Sequence, residues 1–439
     1  MKKASLWVVL ALLFGPLTYA QEVSYEEYDL ANGLHVILHQ DNNAPVVTTS
    51  VMYHVGGKDR ANGKTGFAHF FEHLLFEGTK NIKKGEWDIL VDSNGGRNNA
   101  NTSNDRTYYY EVFPSDKTEL SLWMESERML HPVIEQEGVD TQNEVVKEER
   151  RLRVDNSPYG RFAEELFKNV FEKHPYKDPN IGYMKDLDDS TLEEFMAFKE
   201  LYYVPNNAVL VVAGDIDITE TKGWVNKYFG DIPRGKDIFR NYPDEAPITQ
   251  EKRAKAYDAN IQIPAILTAY RTPSFTSREA YVLDMVSTYL SDGRSSKLYK
   301  KMVDDQKQAL QVGAFNFSQE DYGMYIVFAL PVGETSLDTL TNEMEEEVTK
   351  LREELISEKD YQKLQNKFES RFVNSNSNVE GIANSLARYY MLYGDTSLIN
   401  KEIEIYRSIT REEIKDVANT FLNPNQRVIL EYLPQPKTK

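Results

Sequence analysis

His69-Phe70-Phe71-Glu72-His73 brings two imidazoles and a carboxylate into five consecutive residues. On a helix, residues four apart share a face, so His69 and His73 point the same way. Two imidazoles one turn apart can grip a single metal ion. Glu72 lies beside that face, where its carboxylate reaches a water on the ion without ligating it. Zinc suits this donor set, because it takes nitrogen and oxygen ligands and keeps one position for water in catalytic sites. The ion lowers the pKa of that water toward ~7 and polarises a carbonyl. A glutamate base then takes the proton and passes it to the leaving amine. The H-x-x-E-H spacing is a recurrent signature of this chemistry. The competing reading is two histidines packed in a helix beside Phe70, Phe71, Leu74, Leu75 and Phe76. Burying two histidines and a glutamate together without a metal is costly, however. The motif therefore predicts a zinc peptidase with His69 and His73 as ligands and Glu72 as catalytic base. It leaves the metal one protein ligand short. None of the other histidines, His35, His39, His54, His131 and His174, sits in a comparable setting, and spacing cannot choose among the many acidic residues.

The elements that must carry this motif follow from pattern. Tyr25–Leu30, Leu34–Leu38 and the β-branched run Val46–Val55 read as strands separated by Ala31-Asn32-Gly33 and by Asn42-Asn43-Ala44-Pro45. Gly56-Gly57 ends them, and an apolar helix is predicted from about Gly66 to Phe76. Asn98 to Val112 is strand-like, Lys117 to about Asp155 and Tyr159 to Tyr203 are helical, and Asn206 to Val212 is a closing strand. The polar segment Pro233 to Arg253 separates this from a second round. There, Ala265–Tyr270 and Tyr322–Leu330 read as strands, with helices from Ser277 and near Ser295. Long charged helices over Ser336–Phe372 and a last strand, Arg427–Tyr432, complete the round. The echo of pattern between the halves predicts an α+β fold of two related units. The boundaries expected are 21–240 for a metal-binding domain, 241–254 for a linker and 255–439 for a related domain without metal.

The bulk numbers bound the setting. At 439 residues the chain is long for one core. Lys2 and Lys3, then an apolar run from Leu6 to about Leu17 ending at Thr18-Tyr19-Ala20, read as a cleaved secretory signal over residues 1–20. That run is short of the ~20 residues a membrane span needs, and no other stretch is apolar enough to span. There is no cysteine, which excludes disulfides, thiol catalysis and a thiolate zinc site. Export without disulfides fits a bacterial periplasm. The net charge of −18 repels nucleic acid and anionic membranes; it tolerates or favours basic partners, and simple solubility is the plainer reading of it.

Taken together, these motifs resemble the pitrilysin/insulinase-type inverted zincins, closest to the mitochondrial-processing-peptidase-like branch and its bacterial relatives. The likeness runs from Glu22 to Pro434. It includes Leu30-Ala31-Asn32-Gly33-Leu34, Gly66-Phe67-Ala68-His69 and Phe76-Glu77-Gly78-Thr79. It also includes Gly95-Gly96 with Asn99-Ala100 and Thr102, Tyr202-Tyr203-Val204-Pro205-Asn206-Asn207-Ala208, and Gly214-Asp215. The resemblance implies two related α/β-sandwich domains forming one half of a clamshell peptidase. It implies a third zinc ligand about 76 residues after the second histidine, in the pattern Val145-Val146-Lys147-Glu148-Glu149. Register puts Glu149 there, with Glu148 as the neighbouring alternative. It implies that peptide substrates add as a strand beside Asn99, Ala100 and Asn101. A glutamate usual in the family seven residues before the ligand is Gln142 here, an amide that can hydrogen-bond but brings no charge to support the site.

One departure shapes the expected assembly. Self-sufficient relatives carry an Arg and a Tyr, seven apart, that bind the substrate carbonyl. Aligning onward from Ser295-Ser296-Lys297-Leu298-Tyr299 puts Val303 and Leu310 at those positions, and Tyr322 and Tyr325 lie only farther downstream. Losing one oxyanion donor costs roughly 100- to 1,000-fold in rate. The expectation is therefore a zinc-bearing subunit of a heterodimer whose related partner supplies the Arg/Tyr pair. A non-catalytic scaffold is the alternative.

Overall fold

A computed structural model describes residues 22–436, so the expected signal over 1–20 lies outside them. The first sheet contains β1 (Glu26–Asp29), β2 (His35–Gln40), β3 (Val46–Tyr53), β4 (Arg97–Thr102), β5 (Thr107–Pro114) and β6 (Ala208–Gly214), in the order β1-β2-β6-β3-β5-β4. The second contains β7 (Lys252–Asp258), β8 (Ala265–Thr272), β9 (Ala309–Phe317), β10 (Gly323–Pro331) and β11 (Arg427–Pro434), in the order β7-β11-β8-β10-β9. Without β1 the two orders are the same, with one parallel pair in each, β2/β6 and β7/β11. The echo of pattern in the sequence is thus a duplicated topology. In each unit a helix follows the second strand of this repeat: Phe67–Leu74 after β3, and Arg278–Ser291 after β8.

Burial explains the strand sequences. All of β6, Ala-Val-Leu-Val-Val-Ala-Gly, is buried, as a continuous apolar run must be when both faces of a central strand are covered. One cover comes from the other half of the chain. Ile382, Ala383 and Leu386 of helix Val379–Arg388 pack on Ile37, Met52, Val209 and Val211 of the first sheet. In return, Leu166 and Val170 of helix Phe162–Val170 pack on Leu267, Met324 and Val428 of the second. Each unit lends a helix to the other.

Two segments differ from the pattern reading. Asn98–Val112 is a hairpin: Ser103 N–H donates to Arg106 O at 2.9 Å, and Asn104-Asp105 form the tip between β4 and β5. Strand β7 begins inside the segment expected to be linker, because Lys-Arg-Ala-Lys-Ala-Tyr-Asp alternates and lies parallel beside β11. The hairpin tip is tied to the second unit. Lys58 Nζ, almost wholly buried, meets Asp105 at 3.0 Å, Glu320 at 2.7 Å and Asp321 at 2.8 Å.

Candidate metal centre

The motif helix Phe67–Leu74 starts at Gly66, whose φ of 85° needs a glycine. A Cβ there would also lie 2.8 Å from the Gly182 Cα, so two backbones meet at the helix start. Its apolar residues Phe67, Phe70, Phe71 and Leu74 enter the core and fix the helix axis. Tyr109 Oη donates to Phe71 O at 3.1 Å and Tyr203 Oη to Ala68 O at 3.3 Å. That rotation turns His69 and His73 toward helix Gln136–Arg150, which carries Glu149.

Glu149 Oε2 lies 3.1 Å from His73 Nε2 and 3.6 Å from His69 Nε2. Among the described residues, His69, His73 and Glu149 are the group whose donor atoms converge as a metal site requires. Zinc bonds of ~2.0–2.2 Å put neighbouring tetrahedral donors roughly 3–3.5 Å apart, and the carboxylate oxygen stands close to that spacing from each imidazole, with all three donor atoms within 4.8 Å of one another. Glu149 Oε2 is buried and accepts no hydrogen bond from the described residues, so its lone pair is left for an ion. The residues fit zinc. Glu148, one position earlier, points to solvent and pairs with Arg151 at 3.1 Å.

The electrostatics suit the same use. Burial, then the charge on His73, pushes His69 down to about 4, so its imidazole is neutral and free to ligate at physiological pH. The His73 imidazole beside it and the Arg153 guanidinium hold the Glu149 carboxyl below its usual range. Burial raises Glu72, opposed by the Thr102 hydroxyl, which donates to Glu72 Oε2 at 2.6 Å. A carboxylate raised toward neutrality is a better proton acceptor at working pH. Thr102 was visible in the sequence only as part of a strand motif. Its contact with Glu72 follows from β4 passing the motif helix.

The other sequence candidates fall as follows. Gln142 Nε2 donates to Glu77 Oε1 at 2.6 Å, and Glu77 also meets Lys84 at 2.6 Å. Gln142 therefore braces the segment after His73 and does not touch the three donors. Strand β4 is the free edge of its sheet. The Ser103–Arg106 bond sets the alternation, so Asn99 and Asn101 turn their backbone groups toward β5, while Asn98, Ala100 and Thr102 turn theirs outward. Of Asn99, Ala100 and Asn101, only Ala100 turns its main chain outward, with its carbonyl open to an incoming strand and its N–H donating to Asn99 Oδ1 at 2.9 Å. The Thr102 carbonyl is already taken by Asn180 Nδ2 at 2.7 Å. Val303 is half-buried and Leu310 is 57% exposed, and neither can donate a hydrogen bond.

Behind the motif helix lies a buried ionic cluster that the sequence gives no sign of. Arg128 Nη1 donates to Leu75 O at 3.1 Å and its Nε to Glu125 at 3.2 Å, and a further guanidinium nitrogen lies 3.6 Å from Glu111. The guanidinium sits 4.0 Å from the Trp87 ring, 4.4 Å from Phe76 and 4.7 Å from Tyr109. All three charged residues are buried. Burial pushes Glu111 well above the ordinary carboxyl range, and Glu125 up as well.

Comparison with known proteins gives a consistent picture. Residues 35–182 match the family described as Insulinase (Peptidase family M16), and residues 189–368 match the Peptidase M16 inactive domain. The zinc protease PqqE of Helicobacter pylori is 29% identical over 95% of this chain and 97% of its own length. The crystal structure of a protease from Helicobacter pylori superposes with a TM-score of 0.89 at 28% identity, over 94% of this chain and all of that one. The periplasmic protease PqqL of Escherichia coli shares the fold with a TM-score of 0.76 at 18% identity, and 94% of this chain covers 48% of it.

Proposed function

The chain belongs to the insulinase-type peptidases of family M16, and from that membership we propose that it is the zinc-bearing half of a two-part endopeptidase acting on peptides or unfolded segments. The observation that carries the reading is the convergence of His69, His73 and Glu149 beside a base already held by Thr102. Zinc held by those three residues supplies Lewis-acid polarisation of the scissile carbonyl and of the attacking water. Glu72 does the proton work. Thr102 occupies Oε2, and Oε1 takes the proton from the water and carries it to the leaving nitrogen. The outward main-chain groups of Asn98 and Ala100 hold the peptide extended beside the site.

Val303 and Leu310 cannot bind the substrate carbonyl, so a related subunit with an Arg/Tyr pair completes the chamber. The match to about half of PqqL supports a half-enzyme in size. Its place is the periplasm, reached through the signal over 1–20. No helix among the described residues is long and apolar enough to cross a membrane.

The test is peptide cleavage by the mature chain, alone and mixed with such a subunit, alongside zinc content. The mixture should cleave, and Glu72→Gln should keep zinc and lose cleavage. Glu149→Gln should lose zinc. Full activity from the chain alone would remove the heterodimer, and cleavage by Glu72→Gln would remove Glu72 as base.

A further inference from the structure

The repeated strand order sets up a comparison between the two units. In the first, Glu72 on the helix after β3 is bonded to Thr102 on edge strand β4. In the second, Asp284 lies on helix Arg278–Ser291 after β8, and Asn316 Nδ2 on edge strand β9 donates to its Oδ1 at 3.0 Å. A carboxylate bonded to an edge-strand side chain thus recurs at the equivalent point of the fold. No histidine accompanies it, and the second unit contains no metal-binding group among the described residues.

Among the described residues, no cation lies within ion-pair distance of Asp284. Its other partner is a neutral donor, Tyr406 Oη at 3.1 Å. It lines a cavity of about 800 Å³ that reaches Thr102 and Asn180 on the zinc side. Tyr281, Tyr406, Phe167 and Phe275 contribute aromatic walls, and Glu402, Asp105, Glu164 and Asp178 are the other carboxyls on its lining. Two arginines also border this space, and both are engaged. Arg106 Nη1 donates to Asn101 O at 2.8 Å. Arg388 lies against the Tyr389 and Tyr393 rings and 3.6 Å from Glu402. Burial raises Asp284 to about 6, against the hydrogen bonds from Asn316 and Tyr406 that lower it. The carboxylate is ionised at neutral pH.

The route into the cavity is set by Asn180. By taking the Thr102 carbonyl it ends the free edge of β4, so a strand paired at Ala100 must leave the sheet there. The cavity opens at that point.

We propose that this cavity is a subsite for a basic side chain of the peptide, whose ammonium or guanidinium group pairs with Asp284 between aromatic walls. The proposal rests on the peptidase reading above, in that the ligand is a peptide lying along β4. It gives the second unit a recognition task through a carboxylate that performs no chemistry.

The test uses the zinc-loaded full mature chain with Glu72→Gln, so that peptides bind without turnover. Fluorescent unstructured peptides carry a single Lys, norleucine or Glu at each position in turn, and anisotropy gives Kd. At one position Lys should bind roughly tenfold or more tighter than norleucine, the gain a charge-assisted hydrogen bond gives. Adding Asp284→Asn should abolish that preference and leave the norleucine affinity unchanged. Glu402→Gln should reduce the preference in part, and it serves as the second variant if thermal melts show Asp284→Asn to be misfolded. Equal affinity for Lys and norleucine everywhere overturns the subsite while leaving the peptidase reading intact. So does a Lys preference that survives Asp284→Asn, or a preference for Glu. No binding of any peptide to this chain, which carries β4 and the whole cavity, overturns the subsite, while cleavage by the mixture with a partner subunit tests the peptidase reading separately.

Discussion

Replacing Arg128 with Met should unfold the first unit more readily than its distance from the zinc ligands suggests. Arg128 is the cation beside Glu111 and Glu125 in a pocket closed to water, and it holds the Leu75 carbonyl just beyond His73. Methionine fills most of the same volume between Trp87, Phe76 and Tyr109, so the packing loss is small. What is lost is the partner of two buried carboxyls, and removing one partner from such a group costs about 3–5 kcal/mol. The cost must depend on pH. A carboxyl whose folded pKa lies above its unfolded value costs nothing where it is protonated in both states. The variant's deficit therefore opens as pH rises past the folded values held with Arg128 present and is complete above the higher values without it. Glu111 and Glu125 are already raised from 4.5 with Arg128 present, and its removal raises them further. Urea unfolding followed by circular dichroism should therefore show the larger Arg128→Met deficit at pH 8 and a smaller one at pH 5.5. A deficit under about 1 kcal/mol, or one equal at both pH values, would refute this account of the cluster.

Three further outcomes follow from the same geometry. Glu111→Gln removes one buried charge while keeping shape, so it should stabilise the protein at pH 8 and change little at pH 5, read by the same unfolding curves. Thr102→Val deletes the hydrogen bond that holds Glu72 ionised. The acidic limb of kcat/KM should move to higher pH in the assembled enzyme, with zinc content unchanged; an unmoved limb would mean Thr102 only packs. Gln142→Glu would set a carboxylate against Glu77, where the amide now donates at 2.6 Å. It should cost on the order of 1–4 kcal/mol, more at pH 8 than at pH 5, and Glu77→Gln in the same chain should restore stability.

The candidate metal site was legible in sequence to the extent that it is local. His69, Glu72 and His73 lie within five residues, and helical spacing alone aligns them. Glu149 needed a resemblance, because a ligand on a different helix leaves no spacing signal. The choice over Glu148 became physical only when helix Gln136–Arg150 turned one side chain inward and the other to solvent. The central strands were legible from their unbroken apolar runs. The hairpin over Asn98–Val112 was not, because Asn104-Asp105 supplies a two-residue turn without the usual glycine. Strand β7 was hidden by its charges, of which Arg253 and Lys255 face solvent on an edge strand. Asp284 and the Arg128 cluster stayed hidden because a charged residue in a helix reads as solvated until its neighbours are known.

The helices exchanged between the two units bear on how the protein can be cut and rebuilt. Severing the chain between β6 and β7 would separate each sheet from a cover that the other fragment carries. One face of β2, β3 and β6 would lose Ile382, Ala383 and Leu386, and the second sheet would lose Leu166 and Val170. Each fragment would expose a broad apolar surface and should aggregate or recombine with its mate rather than fold alone. Repetition of the same topology therefore does not make the two units modular. They should melt in a single transition, and two resolved transitions in calorimetry would show the lent helices to be dispensable.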